Sequence, residues 1–212
     1  MYNITFISTV HKENGKCNSD ELHKIIELIS PDVIFLEALK DTCSNYERML
    51  FSRFGVFHKK LEISAIQKYS QSHSFEYVPV LDTGLSDEFD TKIKIVTELS
   101  EYQRLIDKHN LLTIEYGFPF LNSEKSTQLH REMRELEKQI FADNEAFQKA
   151  NASIDAYENS MLHNIYAYSK ENMFNKAIFM CGSAHRESII DKIGKFDTEE
   201  DLKLSWKFFN EI

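Results

Sequence analysis

The chain has 212 residues, 42% hydrophobic and 28% charged, which is enough to bury a full core and excludes a wholly disordered chain. A formal net charge of -9 argues against a nucleic-acid partner, because it repels the phosphate backbone. No stretch approaches the ~20 apolar residues of a membrane span, and the start lacks the basic residues and long apolar run of a signal peptide. With three unpatterned cysteines, Cys17, Cys43 and Cys181, the expectation is free thiols in the reducing cytoplasm and no membrane partner.

Taken in chain order, ITFIS reads as a buried first strand. A helix follows, with Asn18 as cap, Glu21 three residues on, and an apolar stripe of Leu22, Ile25, Ile26 and Ile29 that ends at Pro31. VIFLE, residues 33–37, is a continuous apolar run of the kind found in central parallel strands, which completes a βαβ unit. Helices are expected over 42–54 and 58–71, then a third strand FEYVPV at 75–80, with Pro79 placing it near an edge. Residues 86–172 are charged and helical, a large insertion in which Gly117 and Pro119 break the pattern at EYGFPFLN and offer Tyr116, Phe118 and Phe120 either as a substrate lid or, at least as readily, as packing into the domain's own core. The stretch from Ser123 to Lys170, free of proline and glycine, reads as helix. KAIFMCG at 176–182 is the fourth strand, a helix follows, and LKLSWKFF supplies an edge strand. The expected fold is α/β, a mainly parallel sheet of about five strands with helices on both faces. The whole chain forms one domain: a βαβ half over 1–85, the insertion over 86–172, and a strand-helix-strand unit over 173–212.

If the strands are parallel, His11, Glu37, Asp82 and His185 all follow strand ends on one edge, where open α/β sheets build their sites. Two imidazoles and a carboxylate there suit either a divalent ion with open positions or metal-free water activation by a histidine base. The plainer reading is that such residues cap strand-to-helix turns, but four at one edge favour a site, and Glu37 is the sharpest because burying a carboxylate is costly without a partner.

STVH at residues 8–11, PDVIFLEAL at 31–39 and CGSAH at 181–185 resemble the signatures of the TraB/Tiki-type superfamily, which includes erythromycin esterase-like and ChaN-like proteins. The resemblance implies a hydrolase of metallopeptidase or esterase type, with His11 and His185 as paired histidines and Glu37 as acidic partner. Together these three are its candidate ligands for a divalent metal of Mn, Co or Zn type. YENSMLHN at 157–164 resembles the family's helix motif and nominates Glu158 as an assisting residue and Asn164 as a substrate contact. Asp82, Ser183 and Arg186 are further candidate substrate contacts. Two positions depart from the pattern: Ser8 stands where the family usually has glycine, and Tyr157 where an arginine is common, a cation for which Arg186 is the candidate replacement.

Cys181 and Ser183 are weaker candidate nucleophiles, since a thiol inside an apolar strand is usually packing and GSAH is not a serine-hydrolase elbow. His58, His73, His109 and His130 lack ligand spacing and are expected on the surface, as is the charged run from Glu124 to Lys138; His163 is the exception, a neighbour of Asn164 in the motif helix, and only one of those two can face the site. The expected function is hydrolysis of a peptide or ester bond in a small-molecule or peptide substrate. One alternative is a ligand- or metal-binding regulatory module that has lost catalysis; another is an interaction protein whose insertion docks a partner or a second copy of the chain.

Overall fold

A computed structural model describes residues 2–40, 59–141 and 144–210. The helix expected over 42–54, together with Cys43 and His58, lies outside the described residues. Among the described residues five strands form one all-parallel sheet: β1 (Asn3–Thr9), β2 (Val33–Leu39), β3 (Glu76–Leu81), β4 (Lys176–Gly182) and β5 (Ser205–Phe208), in the order β3-β2-β4-β1-β5. β3 and β5 are edges, which Pro79 tolerates because one side of β3 needs no ladder donor.

Eight α-helices among the described residues cover both faces: α1 (Ser19–Ile29), α2 (Leu61–Ser70), α3 (Asp87–Thr97), α4 (Ser100–Tyr116), α5 (Phe118–Leu121), α6 (Glu124–Phe141), α7 (Glu145–Glu171) and α8 (Arg186–Glu199). Alternation along the strands divides the core. Ile7, Ile34, Leu36, Ile178 and Met180 pack toward α1, α2 and the first part of the insertion, whereas Ile4, Phe6, Phe35 and Phe179 pack toward α7 and α8. At the start of α1 the Asn18 side chain accepts from the Asp20 and Glu21 amides, as its cap position predicts. No described helix is long and apolar enough to cross a membrane.

The stretch from Ser123 to Lys170 is helical, as expected, and forms two helices, with Asn144 capping α7 through the Phe147 amide. Phe118 and Phe120 are buried core residues of α5, so of the two readings of the aromatic segment it is core packing that holds for them, and Tyr116 is exposed. The charged run of α6 is not simply a solvated face, since it buries Thr127, Leu129, Met133 and Glu137.

The turn that starts α5 requires its glycine. Gly117 adopts φ +63°, and a Cβ there would lie 2.8 Å from the Lys16 carbonyl oxygen. On the other side of the same contact, the Lys16 amide donates to the Ile114 carbonyl at 3.0 Å. Gly117→Ala is expected to lose about 1–3 kcal/mol of stability, read by urea unfolding, because strain and a backbone clash add at one residue.

Candidate active site

Three adjacent strands, β2, β4 and β1, present their C-terminal ends side by side. β2 shifts register against β3 between Leu36 and Leu39, so Glu37 sits in a bulge, the irregularity that re-aims side chains beside functional sites. Its Oε2 accepts from the Gly182 amide at 2.6 Å, at the end of β4, and its Oε1 accepts from the Tyr157 hydroxyl of α7 at 2.6 Å. Tyr157 is held as a neutral phenol, its pKa raised by burial and then by the Glu37 charge. Tyr157 thus orients the Glu37 carboxylate as a hydrogen-bond donor.

His185 ends the 3-10 turn Ser183–His185 that follows β4. Its ring is largely buried between two carboxylates: Nδ1 lies 2.8 Å from Glu158 Oε1 and Nε2 lies 3.7 Å from Glu37 Oε1. Burial opposes the imidazolium, but the hydrogen bond to Glu158 and the charges of Glu37 and Glu158 outweigh it, and the pKa is raised. Glu158 feels the converse: burial raises its pKa, yet His185, Ser188 and Lys192 together lower it. Glu158 is therefore ionised and acceptor-only, so His185 Nδ1 carries the proton of that bond.

His11, two residues beyond β1, is the exposed member. Its side chain is 54% exposed, while its partner Glu62, 3.1 Å away, is 4% exposed. The same Glu62 oxygen accepts from the Thr9 hydroxyl at 2.9 Å. α2 brings Glu62 there because the Leu61 amide donates to the His11 carbonyl at 3.0 Å, docking the helix start on the strand end. The bond to Glu62 raises the His11 pKa against burial, with a further push from Glu37. His11 in turn lowers that of His185, so the three nominated residues share one electrostatic neighbourhood.

These pairings fix a pH signature. The folded pKa of His185 lies above its ordinary 6.5, so its contribution to stability is fully present below pH 6.5 and is lost as pH rises through the folded value. Glu158 lies below its ordinary 4.5, so its contribution is present above pH 4.5 and is lost as pH falls through the folded value. The stability difference between the wild type and His185→Gln should therefore be largest between these limits and shrink on either side, in urea unfolding across pH. His130 acts with the opposite sign, pushed down to about 3 by burial and then by His109, but it is common to both proteins.

The other nominated residues are placed elsewhere. Asp82 and Asn164 bond each other at 3.0 Å, Lys40 bridges both, and Ser160 joins Asp82, so this group ties α7 to the ends of β2 and β3. The Lys40 hydrogen bond, then that of Asn164, holds the Asp82 carboxyl down to about 2. Arg186 is buried, not a replacement cation: it donates to Ser8 Oγ and Asn122 Oδ1, with its guanidinium 5.5 Å from the Phe6 ring centre. Ser8 needs no left-handed backbone, because it lies inside β1 and the Asn122 side chain pairs with its amide at 2.8 Å and its carbonyl at 3.0 Å. Ser183 Oγ bonds His130 Nε2 at 3.1 Å. Of two histidines expected on the surface, His109 is buried and His130 half-buried, with rings 4.7 Å apart. Cys181 is buried, its thiol pKa raised by desolvation, and Cys17 is pushed up to about 12 for the same first reason, so neither is a poised nucleophile.

The set His11, Glu37 and His185 does not meet the requirements of a metal centre in this arrangement. Both Glu37 oxygens accept short hydrogen bonds, and among the described residues no three His, Cys, Asp or Glu side chains are grouped to hold an ion. What is assembled is a proton-bonded network of two imidazole–carboxylate pairs.

No family model matches the chain, and no curated protein matches it in sequence. A crystal structure of a Bacillus cereus protein aligns over 84% of this chain and 56% of its own, at 9% identity and a TM-score of 0.37. The chain thus spans little more than half the length of that protein, at a likeness too distant to transfer fold or chemistry.

Proposed function

We propose that the chain is a hydrolase that activates water at the strand edge against an ester or peptide bond, the activity that the TraB/Tiki-type resemblance implies. The observation that carries this reading is that His11 and His185, beyond the ends of neighbouring strands, each bind a buried carboxylate through Nδ1, which leaves as working nitrogens Nε2 of His11 and Nε2 of His185, the latter 3.7 Å from Glu37. His11, exposed and oriented by Glu62, takes a proton from water through Nε2 as the oxygen attacks the carbonyl carbon. His185, favoured as imidazolium between Glu158 and Glu37, gives a proton to the leaving oxygen or nitrogen and stabilises the negative charge that develops before it leaves. Glu62 and Glu158 are positioning residues in this scheme, and Tyr157 holds Glu37 in place.

The test is turnover of a panel of nitrophenyl esters and blocked peptides by the wild type and by His11→Ala. Hydrolysis of at least one class, reduced about 10²-fold or more in the variant, is the expected result for loss of a positioned base. Turnover of no member would overturn the hydrolase reading and favour a binding module built on the same edge.

A further inference from the structure

Beside His185, helices of the insertion and α8 enclose a cleft of about 440 Å3. One end is chemical, formed by His185, Glu158 and Ser188. At the other lies the buried ion pair of Lys92 and Glu137, 2.5 Å apart. That pair is internally satisfied: Tyr102 donates to Glu137 at 2.9 Å, Lys92 donates to Asn151 at 3.2 Å, and its ammonium lies 4.7 Å from the Phe147 ring centre. Much of the lining is apolar, with Phe89, Ile93, Met133, Phe147 and Ile154, while Asp155, which shares the helix, is engaged by Lys192. Asn151 and Glu158 are seven residues apart on α7, which sets the ends about 10 Å apart at the helical rise of ~1.5 Å per residue. The cations nearest the apolar stretch are engaged by carboxylates, Lys92 by Glu137 and Arg134 by Glu187, so they offer little to a charged ligand.

Resting on the hydrolase reading above, we infer that the substrate carries a neutral, unbranched apolar arm of the acyl or alkyl class, which lies in this cleft with the scissile bond at His185. The polar end wall sets the reach of the arm, and the aromatic and aliphatic side chains supply its affinity.

Binding tests the arm without requiring turnover. Calorimetric titration of the wild type with neutral carboxamides from butanamide to octanamide should show affinity rising about threefold to fourfold per added methylene. Ile154→Trp, which fills the middle of the cleft from a half-buried position, should remove that gain, and Ile154→Asp, which sets a charge in the apolar wall, should do the same while the thermal melt confirms a folded chain. Affinity independent of chain length, or a gain retained in both folded variants, overturns the inference. Hydrolysis of nitrophenyl esters with no preference between butanoyl and octanoyl would also overturn the arm and leave the hydrolase reading standing. Length-dependent carboxamide binding with no turnover of any ester or peptide would uphold the arm site and overturn the hydrolase reading instead.

Discussion

His185→Gln should lower kcat/KM by about 10²–10⁴-fold, the usual worth of a positioned general acid, with only a modest fall in melting temperature. The fold should survive because Glu158 keeps other partners when the imidazole is lost: Ser188 Oγ donates to its Oε2 at 2.5 Å, and Lys192 Nζ lies 3.2 Å from the same oxygen. The glutamine amide can also donate to Glu158 in place of Nδ1. Steady-state kinetics and a thermal melt on the same preparation check this. A melting temperature that falls in proportion to activity would make His185 a packing residue of the turn after β4.

The largest expected effect on stability lies at the far wall of the cleft. Lys92→Met should cost about 3–5 kcal/mol, because it strips the counter-charge from a buried carboxylate. The side chains of Lys92 and Glu137 are 6% and 8% exposed, so water cannot replace the lost partner. Lys92→Met with Glu137→Gln should recover much of that loss, since the amide oxygen still accepts from Tyr102 and no buried charge remains. Urea unfolding of the single and double variants measures the coupling. A double variant whose loss equals the sum of the two singles would show that the ion pair does not act as a unit.

The strands were legible because each carries a short, nearly continuous apolar run. ITFIS, VIFLE and KAIFMCG fall within β1, β2 and β4, and strand ends in a parallel sheet bring His11, Glu37 and His185 to one edge. The motif helix gave Glu158, which lies 2.8 Å from His185. Glu62 was missed because its role exists only once α2 docks on the end of β1. Its one local sign is a carboxylate within LEIS, where Leu61, Ile63 and the next turn are all buried and no solvated face remains. Asn122 was hidden in an aromatic segment that looked like a loop, although its side chain completes the ladder of β1 at Ser8. The charged face of α6 misled for a related reason. Charge density marks a solvated surface in an isolated helix, whereas here Arg134 and Glu137 turn inward to Glu187 and Lys92. Pairs formed between helices distant in sequence leave no spacing to read.

The most direct test of the imidazole–carboxylate account is ester and peptide hydrolysis by the wild type before and after exhaustive chelation, with divalent ions then restored one at a time. The account predicts turnover unchanged by chelation and dependent on both histidines. Activity that vanishes with the chelator and returns with a single divalent ion would contradict it, and would mean that Glu37 exchanges its bonds to Tyr157 and Gly182 for a metal.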